Sequence, residues 1–303
     1  MLKDPQALIV RKQRWGDYVL LALRSPRIAA KAKPGQFLMI RVSDQSNPLL
    51  RRPFSIHARE NSAVEVFFAK AGPGTEILAE KNPGETLDIL GPLGNGFRTA
   101  AKGARPIGDK KTKETELEGR RKGRTVYLVG GGRGIAPLYF LALELRRAGA
   151  RPKVFYGGKT EADLPLVEKF SGQKFEVFVS TDDGSFGFHG LVSSMVEREL
   201  KRVFAEDRPS GSPEGNRRSA LSASATASRP AQIFACGPDP MMEKIAALAA
   251  SLKIPAQFSL ESIMGCGIGA CWGCVKKIRR GAGAEWVKIC EEGPVFEGPE
   301  IVW

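Results

Sequence analysis

The sequence predicts a multi-domain β + α/β chain: an antiparallel β-barrel, a doubly wound parallel-sheet domain, and a small cysteine-rich C-terminal domain. Three observations carry this. Residues 1–99 hold short β-rich runs broken by Gly and Pro, strands alternate with helices from residue 125 onward, and four of the five cysteines fall in the last 38 residues. A length of 303 residues lets each of the two larger domains bury a core of its own.

In the first region the β-rich runs are residues 7–11, 18–24, 36–42, 63–70 and 86–90, with turns at Pro34-Gly35, Gly72-Pro73-Gly74 and Pro83-Gly84. That spacing suits a small barrel. Residues 100–124 read as a basic insertion or linker, with nine Lys/Arg against four Asp/Glu, no aromatic residue and no apolar period. In residues 125–256, strands at 125–130, 153–157, 175–180 and 232–236 alternate with helices at 138–148, 164–170, 192–204 and 240–252. Such alternation implies a parallel sheet covered on both faces. Residues 206–230, rich in Ser, Ala, Pro and Arg, read as a disordered insertion within this domain. Residues 257–303 are too short to fold without a cofactor, so a bound group is expected to supply the missing core.

Composition narrows the function classes. The net charge of +13 raises nucleic acid as a partner, but the basic insertion lacks the aromatics that stack on bases, so none is expected. No window approaches the ~20 apolar residues that span a bilayer. The opening Met1-Leu2-Lys3-Asp4-Pro5 lacks the apolar stretch of a secretory signal. The expectation is a cytoplasmic protein with no membrane partner.

The cysteines carry the strongest chemistry. Cys266, Cys271, Cys274 and Cys290 are spaced C-x4-C-x2-C-x15-C, the plant-type spacing for a [2Fe–2S] cluster, which needs four soft thiolates around a flat rhomb. Glycines at 265, 267, 269 and 273 let backbone amides approach the sulfurs. A structural zinc site would prefer two C-x2-C knuckles and only one is present; unrelated buried thiols are the remaining alternative.

Two further constellations are weaker alone. Arg51-Arg52-Pro53-Phe54-Ser55 on a barrel strand suits a flavin: the guanidinium for pyrophosphate, the ring for packing, the hydroxyl for a ring nitrogen. An ordinary sheet edge is the competing reading. The loop Ala71-Gly72-Pro73-Gly74-Thr75 offers amides and a hydroxyl to phosphate, or is a plain hairpin turn. Gly130-Gly131-Gly132-Arg133-Gly134-Ile135-Ala136-Pro137 stands between a strand and a helix, where a dinucleotide phosphate loop belongs, although it does not satisfy G-x-G-x-x-G. A generic α/β turn is the alternative. Cys236-Gly237-Pro238 repeats that placement later, and Cys236 reads either as a small buried residue or as the tip of a loop at the nicotinamide. His57 reads as structural, with a cofactor contact as the alternative, and Glu261 as a surface carboxylate, with proton handling as the alternative; no nucleophile set is evident, so no catalytic residue is assigned.

In this order, RPFS, GPLGNGF, GGGxGIAP and CGPxPMM, the chain resembles the ferredoxin–NADP reductase superfamily. With RRPFSI (51–56), GPLGNGF (91–97), TDDGSFGFHG (181–190), SLESIMGCGIGACWGCVKK (259–277) and CEEGPVF (290–296), it resembles more closely the electron transfer subunits of NAD-dependent dihydroorotate dehydrogenase. The resemblance implies an oxidoreductase component with FAD at Arg52, Pro53, Phe54, Ser55, Phe67, Phe68, Ala69, Gly74 and Thr75. It implies NAD(H) across Gly130, Gly131, Gly132, Gly134, Ala136, Pro137, Cys236, Gly237 and Pro238, with Asp182-Asp183-Gly184 nearby. Arg133 departs from the aliphatic residue expected there and leaves NADH against NADPH open.

The implied role is an electron wire in pyrimidine (UMP) biosynthesis. Electrons would pass from the FMN of a catalytic subunit through the cluster and FAD to NAD⁺, in an assembly of two plus two subunits. The cluster handles one electron, the nicotinamide two and the flavin either, which dictates that order. The rival relatives are the small subunits of NAD(P)H–ferredoxin oxidoreductase and sulfide dehydrogenase. Four cysteines, where the bifurcating relative is expected to use a carboxylate, favour the pyrimidine role.

Overall fold

The computed structural model describes residues 1–45, 47–98, 123–206 and 229–303. Almost all of the basic insertion and of the 206–230 insertion therefore lies outside the described residues.

Six strands close an antiparallel barrel in the order β1-β2-β5-β4-β3-β6. They are β1 (Leu2–Trp15), β2 (Tyr18–Arg24), β3 (Phe37–Arg41), β4 (Arg52–Glu60), β5 (Ala63–Ala69) and β6 (Thr86–Leu93). Their inward residues, among them Ile9, Leu21, Ile40, Ile56, Val66 and Ile89, make one apolar core. Two short helices cap this unit, α1 (Pro26–Lys31) and α2 (Pro73–Glu80). Each has Pro in its first turn, where a missing N–H costs nothing. The Gly72-Pro73-Gly74 stretch thus starts a helix instead of a simple turn.

The second unit is a seven-stranded sheet in the order β10-β9-β8-β7-β11-β12-β15. Its strands are β7 (Thr125–Gly131), β8 (Arg151–Gly158), β9 (Glu176–Thr181), β10 (Phe188–His189), β11 (Ile233–Cys236), β12 (Ala256–Ser259) and β15 (Val295–Glu297). All pairs are parallel except β12–β15. Among the described residues, four helices cover its faces: α3 (Ala136–Arg147), α4 (Val167–Gly172), α5 (Val192–Glu206) and α6 (Asp239–Ser251). Central β7 is buried or nearly so along its whole length, as a strand covered on both faces must be. After β10 the chain crosses to the other side of β7 and adds β11. This reversal makes the C-terminal ends of β7 and β11 the switch point at which doubly wound sheets bind ligands.

The C-terminal segment does not stand apart. The hairpin β13 (Val275–Arg280) and β14 (Gly283–Lys288) buries Ile278 and Val287, and Ile289 and Phe296 join them in the core on one face of the large sheet. Then β15 pairs antiparallel with β12, Gln257 opposite Glu297 and Ser259 opposite Val295. The tail takes its apolar core from its neighbour, where the sequence suggested that only a cofactor would provide one. Strand β12 also straddles the 256/257 boundary drawn from the sequence. No helix among the described residues is long and apolar enough to cross a membrane.

Candidate functional site

One cleft gathers residues from all three units. The barrel contributes Pro53, Phe54, Ser55, Phe67, Phe68 and Ala69, with Thr75 from α2. The large sheet contributes Ala136, Pro137 and Cys236, and the segment leading to the cysteine loop contributes Glu261, Ser262 and Met264. Motifs far apart in sequence therefore meet where β4 and β5 face the ends of β7 and β11.

On the barrel side the walls are aromatic: Phe54 and Phe68 lie 5.3 Å apart, and Phe67 stacks on Tyr18 at 5.6 Å. Arg51 and Arg52 have separate fates. Arg51 donates to Asp88 at 2.5 Å, whereas Arg52 bonds only the Leu50 carbonyl at 2.6 Å and has no carboxylate partner among the described residues. Its Nε lies 2.8 Å from where a side chain on Gly74 would begin, so the guanidinium rests on the first turn of α2. That helix end has no side-chain cap, and Thr75 Oγ1 braces it by accepting from Ala71 N–H and donating to Gly72 O. A cation beside an uncapped helix N-terminus is a donor set for phosphate. Aromatic walls next to it suit a flavin ring, so the residues present fit FAD.

The two glycine-bearing loops after β7 and β11 abut. A side chain on Gly134 would begin 2.2 Å from the Cys236 carbonyl oxygen, and one on Gly131 would begin 2.7 Å from Met241 Sδ. Gly130, Gly132, Gly237 and Pro238 belong to these same two loops at the switch point. Cys236 is buried, and burial, with Glu261 adding, pushes its thiol well up against an opposing hydrogen bond from Ser259. It is held as a neutral thiol at the junction of the barrel and nucleotide sides. Asp182 and Asp183 sit past the end of β9, away from the cleft lining, and Asp183 accepts from Ser185 N–H at 2.9 Å.

Sequence reasoning left Glu261 and Met264 outside the site, though both line the cleft. Glu261 keeps some surface exposure yet lines the cleft, where partial desolvation raises its carboxyl pKa, Arg133 and Lys276 opposing and Asp239 assisting. Arg133, singled out from the sequence within its glycine-rich loop, lines the same cleft. His57 is fully buried behind the wall; its Nδ1 lies 2.8 Å from Ala136 O and its ring stacks on Tyr139 at 4.7 Å.

The four cysteines fall into two associated pairs. The Cys266 and Cys271 thiols are close neighbours, as are those of Cys274 and Cys290. Backbone amides turn toward the sulfurs: Ile268 N–H donates to Cys266 Sγ at 3.4 Å, Gly269 N–H to Cys290 Sγ at 3.2 Å, and Cys290 N–H to Cys274 Sγ at 3.4 Å. Burial pushes the Cys266 thiol up, but the amides of Ile268, Cys271 and Ala270 outweigh it and bring it down to about 7. Burial and the neighbouring Cys274 push Cys290 up to about 12. Among the described residues no three His, Cys, Asp or Glu side chains converge as on a single metal ion. Two thiol pairs with sulfur-directed amides fit a two-iron rhomb, one pair per iron, better than a zinc knuckle. The loop rests on the barrel, with Gly267 against Met39 of β3, and Met264 just ahead of it lines the cleft.

Comparisons with known proteins agree with this arrangement. The family model described as "Iron-sulfur cluster binding domain of dihydroorotate dehydrogenase B" matches residues 261–302. The "Dihydroorotate dehydrogenase B (NAD(+)), electron transfer subunit" of Desulforamulus reducens is 33% identical over 281 residues, 92% of this chain and 90% of that protein. Its counterpart in a Geobacillus species is 32% identical over 305 residues, covering 100% of each. Among solved structures, the one titled "Insights into flavin-based electron bifurcation via the NADH-dependent reduced ferredoxin-NADP oxidoreductase structure" superposes with a TM-score of 0.70. It has 25% identity and covers 99% of this chain and 91% of its own. A ferredoxin NADP+ reductase from Neisseria gonorrhoeae shares the fold at a TM-score of 0.56 and 15% identity, over 83% of this chain and 91% of that one.

Proposed function

Because the chain belongs to the family of dihydroorotate dehydrogenase B electron transfer subunits, we propose that it links a catalytic dihydroorotate dehydrogenase subunit to NAD⁺ in pyrimidine biosynthesis. It is the oxidoreductase component that takes FAD, a [2Fe–2S] cluster and NAD(H). A cluster exchanges single electrons, a flavin one or two, and NAD⁺ accepts two as a hydride. The chain's own part is to bind and orient these groups.

Arg52 and the first turn of α2 hold the FAD pyrophosphate, with Phe54, Phe67 and Phe68 walling the ring and Ser55 supplying a hydroxyl. The loops at 130–137 and 236–238 hold the nucleotide. Cys266, Cys271, Cys274 and Cys290 ligate the iron. The finer reading is a relay from the FMN of the catalytic subunit to the cysteine loop, the barrel site and the nucleotide loops in turn, in an assembly of two plus two subunits. One observation carries it: a single cleft is lined by the barrel motif, both nucleotide loops and the segment leading to the cysteines.

The test is co-expression with the catalytic subunit and measurement of dihydroorotate-dependent NAD⁺ reduction, with and without Cys271→Ser. The variant is expected to lose that activity while NADH-driven reduction of a dye at the flavin persists. Undiminished NAD⁺ reduction by dihydroorotate would show the route to be wrong. The likeness to the NADH-dependent ferredoxin-NADP oxidoreductase structure favours a second reading, with ferredoxin as the client. Activity with reduced ferredoxin and none with dihydroorotate would select it.

A further inference from the structure

Lys288 ends β14, two residues before Cys290, and its side chain is 19% exposed. Its ammonium makes three contacts, all around the cysteine loop. Nζ donates to the Gly269 carbonyl at 3.0 Å, pairs with Glu291 at 2.6 Å, and lies 4.9 Å above the Trp272 ring. Gly269 is also the residue whose N–H donates to Cys290 Sγ at 3.2 Å. The peptides on both sides of one α-carbon are therefore fixed, one by a cation and the other by a sulfur.

The glycine is required there. Its φ is +83°, in the left-handed region, and a side chain would begin 2.6 Å from Glu291 Oε2. Trp272, between Cys271 and Cys274, is likewise held at a positive φ of 56°. A non-glycine residue in that region needs its surroundings to hold it. The Lys288 ammonium over its ring is such a contact.

We propose that Lys288 is a positioning residue for the cluster: it aims the Gly269 amide at Cys290 and balances the Glu291 carboxylate beside that ligand, favouring the reduced cluster. The inference rests on the reading of the four cysteines as cluster ligands. Reduction adds one negative charge, and both effects favour it. An N–H on the sulfur disperses charge, and the ammonium cancels the carboxylate nearest to it. Losing Lys288 leaves Glu291 uncompensated and frees the Gly269 peptide, so both consequences run toward the oxidised form.

The test is redox titration of the intact subunit, followed by the visible and EPR signals of the cluster, for wild type, Lys288→Met, Lys288→Arg and Glu291→Gln. Lys288→Met is expected to shift the reduction equilibrium about tenfold toward the oxidised cluster, ~59 mV for one electron. Lys288→Arg is expected to restore most of it. Glu291→Gln, which leaves the cation unbalanced, is expected to shift the potential upward. An unchanged potential in Lys288→Met, or a downward shift in both Lys288→Met and Glu291→Gln, overturns the proposal, since loop damage alone has no reason to reverse sign. If Lys288→Met fails to retain iron, Glu291→Gln decides: a rise supports the proposal and no change overturns it. Iron and sulfide content of the wild-type chain tests the underlying reading separately; a chain that binds neither sinks both.

Discussion

At the residue scale, His57 shows how burial sets a charge state. A carbonyl only accepts, so Nδ1 carries the hydrogen facing Ala136 O, while Nε2 is buried without a partner among the described residues. Burial, with Lys169 adding, lowers the pKa from 6.5 to about 4, against the opposing pull of Glu65 and the carbonyl. The unfolded chain thus takes up a proton near pH 6.5 that the folded chain refuses until about pH 4. Protons in that window favour unfolding; stability is full above it and falls on acidification through it. Urea unfolding is expected to show a loss of about 2 kcal/mol from His57 between pH 7.5 and pH 5. A His57→Gln chain should lack that slope; an equal slope in both would show that the ring is not the source. Glu65 is held below the usual carboxylate range, where burial is outweighed by Lys169, His57 and Arg11, so its own loss comes further toward acid.

At the element scale, β15 decides how the cysteine segment is held. Three residues long, it follows Cys290 closely and closes the edge of the large sheet against β12. Phe296 is 3% exposed and packs in the same core as Ile278, Val287 and Cys290. Phe296→Ala is expected to cost about 3–5 kcal/mol by the usual cavity penalty. Because the strand is the return anchor of the loop, calorimetry and iron content should fall together. A destabilised chain that keeps its full iron complement would show the two to be independent.

At the scale of the whole molecule, the barrel and the nucleotide domain are pinned by polar contacts as well as by packing. Glu65 of β5 meets Lys169 of α4 at 2.7 Å and Arg11 of β1; Tyr18 of β2 donates to Asp163 at 2.7 Å. Glu65 is 2% exposed, so its charge needs both cations. Lys169→Met is expected to cost about 1.5–3 kcal/mol, the worth of a hydrogen bond to a charged group. It should fall short of the ~3–5 kcal/mol of a fully orphaned buried charge, because Arg11 remains. Chemical denaturation measures this, and a change under ~0.5 kcal/mol would show the pair to be idle.

The sequence by itself determined the order of barrel, parallel sheet and cysteine-rich tail, and most of the motifs that meet at the shared cleft. A thiolate loop, an Arg-Pro-aromatic strand and a glycine-rich strand end each draw their chemistry from neighbouring residues, so spacing alone reveals them. Helices and strands of the parallel domain were legible within a few residues for the same local reason. Tertiary structure alone decided what meets what. The short helices at Pro26 and Pro73 and the closing strand β15 escaped notice because each is stabilised by partners far along the chain. Glu261 joins the cleft only through the turn after β12, and Lys288 reaches Gly269 only because β14 returns beside the loop. The four cysteines are the clearest case. Their spacing suggests a cluster, but the meeting of Cys274 with Cys290, and of Lys288 with Gly269, exists only once the hairpin between Cys274 and Cys290 has folded back.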